Sequence, residues 1–534
     1  MNREETLALY EQGVEAWNKW ANEMLEERKR LEEAGNWQVN ELKNGFKIPI
    51  NDKTKTWFRN SEANLSSNKA DKNFSQALDF SYFIFPGETK IENANFKNSM
   101  LFEHAVFNNN LILKNVKFLD FVTFYNSKFN CHSNFSSTIF NHKVIFSEAI
   151  FMEDTSFHRC IFEDHAGFQN IVFLGLSTFS ESTFHFSSQF NGSKFQKFAN
   201  FYGCIFESAT RFDNIEFNEA VSFNTSRINH LIGFTSSTFN GHTSFQNIVA
   251  NLDLIFENTK FLKTLKFNGS VIKGLIDFKN AEFNYSSDFS ATQFIKGANY
   301  SSIRSKGTFT LESAKFKNEL PDFIQANFEE APRLDNIELG DAIPPKSLVK
   351  SITTFIHPDI KARYQALKRL AVQAHDHENE QRFWAGELRS DRSLRTEDGS
   401  WNLRPLVSAF WWGNIAYGCV SDYGRSIVRP IGALLILICL MTTLHLTASK
   451  TPLTYDKVFS AGYIAANKSF LYLGTDPTKR SIIKEKYTAL YGANENQTPK
   501  IPKTILTAEF IQTLLSAIFI FLALLGIRNN FKMK

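Results

Sequence analysis

Between residues 74 and 294, phenylalanine returns at alternating intervals of five and six residues. A representative stretch reads Phe146, Phe151, Phe157, Phe162, Phe168, Phe173, Phe179, Phe184, Phe190 and Phe195. Extended both ways, the rhythm defines 41 positions, of which 36 are Phe; the exceptions are Ile91, Leu113, Ile228, Ala250 and Ile272. A helix repeats every 3.6 residues and a strand every two, so neither explains a mean period of about 5.5. A short fixed period instead predicts a solenoid, in which each unit buries its apolar residue against the next. Two residues before each ladder position runs a second column, which includes Val144, Ala149, Thr155, Cys160, Ala166 and Ile171. Its 40 members from Leu78 to Thr292 include no charged residue in a chain that is 21% charged, so this column also faces inward.

The unit is therefore a small residue, any residue, a large apolar residue, then two or three others. Recurring over roughly residues 74–330, it resembles the pentapeptide-repeat family. The chain departs from the plainest family pattern by centring on Phe rather than Leu and by adding one residue to every second repeat. The resemblance implies a mainly β fold, a right-handed quadrilateral β-helix with four repeats per coil. Four repeats make 22 residues, so the span of 220 residues makes about ten 22-residue coils, roughly 48 Å at about 4.8 Å between paired strands. Positions 22 apart then stack, which places Ile228, Ala250 and Ile272 in one column and thins that face. Each buried Phe contributes about 1.5–3 kcal/mol by area, with ring stacking in addition. The ladder is core and does no chemistry.

The segments on either side have other periods. In residues 1–45, Leu7, Tyr10, Val14, Trp17, Ala21 and Met24 recur at helical spacing, with Glu26, Glu27, Arg28, Lys29 and Arg30 opposite and Gly35 as a stop. This amphipathic helix either covers the open end of the solenoid or serves a membrane surface or a partner. It lacks the continuous apolar core of a signal peptide. Residues 46–73, rich in Asn, Lys and Ser, read as a linker that holds Trp57 and Phe58 in place. After Phe294 the beat fails at Ser305 to Gly307, partly resumes at Phe316 and Phe328, and ends with Pro332, Pro344 and Pro345. Residues 345–400 carry helical spacing in Tyr364, Leu367, Leu370 and Ala371, then Phe383, Trp384 and Leu388. His375, Asp376, His377 and Glu378 between them form the turn of a helical pair; four potential ligands without a further cluster predict an exposed turn rather than a metal site.

A Trp/Tyr-rich approach, 401–430, contains Arg425 and Arg429 and leads into 431–448, an 18-residue run without formal charge. A second apolar run, 505–527, holds one carboxyl, Glu509, and a basic tail, 528–534, follows it. Both runs have transmembrane length, with interfacial aromatics before the first. Basic residues before the first and after the second predict two spans with both outer ends cytoplasmic. The loop 449–504 contains Lys450, Lys457, Lys500 and Lys503, which weigh against that orientation. Ionisable and polar groups inside membrane segments are functional candidates, here His445, Glu509 and Gln512. Glu509 lies close enough to the start of its run to snorkel outward. With Ser516 and Ala523, Glu509 and Gln512 form a stripe suited to helix contact. Between the spans, Leu471, Tyr472, Leu473 and Gly474 make a poor match to an ion-selectivity filter.

The chain has 534 residues and a net charge of +4, which implies neither nucleic acid nor an acidic partner. Residues 91–330 carry 20 Lys and Arg against 23 Asp and Glu. Some pentapeptide-repeat proteins mimic duplex DNA against topoisomerases, and a net −3 is too sparse for that role. Cys160 and Cys204 fall two coils apart, about 10 Å, too far for a disulfide. No catalytic set, cofactor fingerprint or metal spacing appears, so neither an enzyme nor a cofactor is expected. The combination resembles bacterial membrane-anchored pentapeptide-repeat proteins with two C-terminal transmembrane helices. The expected function is a scaffold presenting a β-helix for protein interaction at the inner face of a bacterial membrane. Its expected partners are the lipid bilayer, a protein partner and a second copy of the chain, with no nucleic acid. A two-span ion channel or gating protein is the alternative.

Overall fold

The computed structural model describes residues 1–41, 47–66, 73–74, 76–340, 347–449, 452, 454–470, 477–494 and 498–532. The chain divides into two units, Met1–Ala342 and Ile343–Lys534.

The first unit is a β-solenoid with four parallel sheets of 11 to 13 short strands, about twelve turns. Each strand pairs with the one a coil away at an offset of 22 residues, as in Phe107 with Phe129 and Phe129 with Phe151. The ladder therefore becomes four columns of rings. Phe179 lies 4.8 Å from Phe157 and 4.9 Å from Phe201, nearly parallel to both, and meets Phe168 and Phe190 edge-on at 5.5 Å. Both arrangements suit the ring quadrupole. Ile228, Ala250 and Ile272 stack in one sheet and are fully buried.

The turns explain the alternation of five and six. A residue with positive φ recurs every 11 positions from Tyr82 to Ser313, and again at Gln325 and Asn336. It sits in the five-residue spacer, where Ala149 N–H donates to Phe146 O at 3.0 Å and Glu148 has φ 63°. A positive φ at the third residue is the mark of a type II turn. Asn or Gly, which tolerate that conformation best, occupies half of these positions. The small column serves the same turns. Ser182 Oγ donates to Phe157 O at 2.6 Å and accepts from Cys160 N–H at 2.9 Å, so buried backbone groups gain partners from the next coil. Cys160 and Cys204 do the same through sulfur, each donating to a Phe carbonyl at 3.0 Å. Both thiols are free, and burial pushes their pKa far up.

The solenoid is longer than the ladder suggests. At its start, Ala63–Asn64 already pairs with the following coil, and Leu65 is fully buried. Within the expected linker, Asp52–Ser61 is a helix (α3) whose Trp57 donates from Nε1 to Met24 O at 2.6 Å. At the far end the beat does not fail. Ser305 occupies a ladder position, 1% exposed, and Tyr300, Leu311, Phe316, Phe323, Phe328 and Leu334 continue the columns. One extra residue enters between Phe316 and Phe323, and the pairing offset rises to 23, as in Arg304 with Asn327. Pro344 and Pro345 lie outside the described residues.

The expected single N-terminal helix is two, α1 (Arg3–Tyr10) and α2 (Val14–Glu33), separated at Gly13 with φ 90°. They cover the first coil. Trp17 is fully buried against Phe80, Phe83 and Phe85, and its Nε1 donates to Ile84 O at 2.8 Å. The Asn18 amide donates to Tyr82 O at 3.0 Å and accepts from Ile84 N–H at 2.8 Å, as a neighbouring strand would. An exposed sheet edge is thereby closed.

The second unit is helical. α4 (Leu348–Thr353) precedes a hairpin of α5 (Asp359–Gln373) and α6 (His377–Ser390), joined at His375 with φ 56°. Lys361 pairs with Asp391 at 2.9 Å and Lys368 with Glu387 at 2.6 Å across it. No group of three potential metal ligands gathers there or elsewhere among the described residues. The aromatic approach forms α7 (Ala409–Ser421), followed by α8 (Val428–Ala448), α9 (Tyr455–Ser469), α10 (Pro477–Tyr491) and α11 (Lys503–Lys532).

Truncating Phe179 to Ala opens a cavity in a parallel stack and is expected to cost about 3–5 kcal/mol. Phe186, off the beat and 56% exposed, should tolerate Ala within about 0.5 kcal/mol. Urea unfolding of the two variants checks the register, and equal losses would refute it.

Candidate functional site

α8 and α11 are long and apolar enough to cross a membrane, and only 17% of each apolar window is buried. Their outer faces present Leu435, Ile436, Leu440, Phe510, Leu514 and Phe521, all more than half exposed. A core helix of a soluble protein would cover that surface. The 21 residues of α8 rise about 31 Å, close to the hydrocarbon thickness of a bilayer. The outer ends of the two helices lie together, because Asn529 Nδ2 donates to Gly424 O at 3.0 Å. Gly526 meets the backbone of Ser426, where a Cβ would lie 3.0 Å from its carbonyl oxygen.

The inner faces are polar at one level. Glu509, Gln512 and Ser516, three and four residues apart, share one face of α11 and are at most 2% exposed. Against them lies α9, whose buried Ser460, Ala461 and Ala465 permit close approach. Lys468 of α9 reaches Glu509 Oε2 at 3.1 Å, and Tyr487 of α10 donates its hydroxyl to Glu509 Oε1. His445 of α8, fully buried, places Nε2 3.6 Å from the same carboxylate and Nδ1 2.8 Å from the Tyr491 hydroxyl. Gln512 Nε2 donates to Ala465 O at 2.6 Å and to Ser469 Oγ at 2.8 Å. Burial, reinforced by Glu509, pushes the Tyr487 and Tyr491 phenols well above the ordinary range, so both remain neutral donors.

The structure thus brings together all three polar residues singled out in the apolar runs. Glu509 does not snorkel; it turns inward to a cation and a phenol. The sequence reading missed Lys468, Tyr487 and Tyr491. The tyrosines stand four apart, one helical turn, and that spacing was the available signal. The expected stripe also changes course: Leu522, 8% exposed, takes the buried position instead of Ala523. Glu509 and Gln512 bond to α9 and α10 of the same chain, whereas the buried Ser516 Oγ has no hydrogen-bond partner among the described residues. The stretch weighed as a filter, Leu471 to Gly474, lies outside the described residues.

Chemically the arrangement is a clamp. A carboxylate buried among four helices is compensated by one lysine and one phenol, and a half-buried histidine–tyrosine contact adjoins it. Removing Lys468 leaves the buried Glu509 carboxylate without its counter-charge, and removing Tyr487 takes away one of its hydrogen-bond donors.

A model of pentapeptide repeats, in nine copies, matches residues 168–216, inside the most regular part of the solenoid. No curated protein and no solved structure matches the chain.

Glu509→Ala should destabilise the second unit by about 2–3 kcal/mol, less than a fully buried pair because water screens the partly exposed Lys468. Phe510→Ala, on the outer face and 74% exposed, should change little. Thermal unfolding in detergent compares them; equal effects would show that Glu509 is not a clamp.

Proposed function

Because the chain is a pentapeptide-repeat protein whose second unit carries two helices apolar enough to span a membrane, we propose that it is a membrane-anchored scaffold, without enzymatic activity. It presents its β-solenoid to a protein partner at the cytoplasmic face of a bacterial inner membrane. The observation that carries this reading is the contrast between the two surfaces. The solenoid keeps its Phe columns inside and covers itself with polar ladders, such as Asn218 with Gln196 at 2.8 Å and Asn251 with Asn229 at 2.6 Å. α8 and α11 instead leave their apolar faces bare. Arg425 just before α8, Arg429 in its first turn and Arg528 near the end of α11 favour the cytoplasmic side for both ends. Self-association through this unit would use the bare faces around Leu440 and Phe521, since Glu509 and Gln512 already bond within the chain.

One observation favours conduction as a second reading. α9 packs between the two apolar helices, with Gln512 bonded to its backbone, as a re-entrant segment would. Planar-bilayer recording of the purified chain decides it: selective single-channel currents altered by Glu509→Gln would replace the scaffold with a channel.

Orientation is tested by single accessible cysteines in a chain whose Cys131, Cys419 and Cys439 are replaced, Cys160 and Cys204 being fully buried. An impermeant thiol reagent on intact cells should label Asn494→Cys. It should reach Phe186→Cys and Phe531→Cys only after permeabilisation. The reverse pattern would invert the topology.

A further inference from the structure

A cavity of about 490 Å³, partly open to solvent, lies beside the start of α8 and is lined from α4, α6, α7 and the turn that follows α7. Its wall carries Arg389, Arg392, Arg425 and Arg429 against a single carboxylate, Asp422. An adjoining cleft shares Arg425, Arg429 and Asp422 and adds Glu378. Asp422 is committed to Arg389, whose Nη2 lies 2.6 Å from its Oδ1. Arg392 is 3% exposed and lies 5.1 Å over the Tyr423 ring, and its Nε has no hydrogen-bond partner among the described residues. Its fork fits only because residue 418 is glycine: a Cβ there would stand 1.8 Å from Arg392 Nη2. The Arg429 guanidinium reaches the Gly418 carbonyl at 3.4 Å. Burial, together with Arg389 and Arg382, opposes the charge on Arg425, while Asp422 and Glu378 support it.

A buried arginine with an open donor, among three others and one carboxylate already engaged, is an electrostatic deficit. Guanidinium forks suit the oxygens of phosphate, which accept two parallel bonds from each fork. We propose that this cavity binds a phosphate group, supplied by the headgroup of an anionic lipid. The position selects that source: α8 starts here, and Asn529 near the end of α11 is bonded to Gly424 of the same turn. Basic pockets at this level of membrane helices hold lipid phosphates. The phosphate chemistry stands on the arginines alone, whereas the lipid source rests on the membrane reading.

The test uses the full chain in a neutral detergent, titrated with dioctanoylphosphatidylglycerol, dioctanoylphosphatidylcholine or inorganic pyrophosphate and followed by calorimetry and thermal unfolding. Saturable binding of phosphatidylglycerol, with a rise in Tm and none for phosphatidylcholine, is expected. Arg425→Gln with Arg429→Gln should weaken it by about ten-fold or more, the loss of a charge-assisted hydrogen bond. Arg404→Gln, outside the cavity, should leave it unchanged. Asp422→Asn gives a test of opposite sign: it removes the competing carboxylate, and Asn also tolerates the left-handed backbone at this position, φ 48°. Affinity should then rise. Binding of pyrophosphate but not of the lipid would keep the phosphate site and remove the lipid as its source. Equal binding of both lipids, or affinities that none of the cavity variants changes, would overturn the proposal.

Discussion

The inter-coil stack is the interaction on which the first unit depends. Through most of the ladder each ring has a parallel neighbour above and below, and the strands, most of them only two residues long, pair with the strand one coil away. No single coil could bury its four rings alone. Stability is thus a nearest-neighbour property, and the two ends are where it must be defended. At the start of the solenoid the defence is specific. Trp17 fills the ring column, and the Asn18 amide takes the place of a strand's backbone.

The small column shows how a solenoid so rich in Phe satisfies its backbone. At many corners a Phe carbonyl points inward, and a Ser, Thr or Cys from the next coil supplies the donor. A larger residue would collide with the rings, and a charge would be stranded among them. The same logic permits Ser305 at a ladder position, where its hydroxyl donates to Gly307 O at 3.1 Å. The column tolerates one polar member when that member bonds locally.

The second unit reverses the arrangement of polar and apolar surface. Its apolar residues face outward along α8 and α11, and its charges are gathered inside. Glu509, Lys468, Tyr487 and His445 come from four helices, so their network fixes how those helices pack. At the opposite end of α8 the balance is different, with four arginines around one engaged carboxylate. One cluster is internally neutralised and the other is not, which is why the first reads as structure and the second as a binding site.

The sequence by itself determined the solenoid, its register, its inward columns and the two apolar helices. Those features repeat, and a repeat read some forty times averages out local noise. It also carried an unread signal, Asn or Gly at steps of 11, which marks the left-handed corner. What repeats only once was decided by the tertiary structure. Ser305 looked like the end of the beat, because a polar residue at a ladder position shows its place in the column only once its strand is paired, here with that of Phe283. Ala63–Asn64 looked like linker, because a strand of two residues has no period of its own. Glu509 had the composition of either a snorkelling or a buried residue. Its environment depends on Lys468 and Tyr487, 41 and 22 positions earlier in the chain, and only packing brings such distant groups within hydrogen-bond reach.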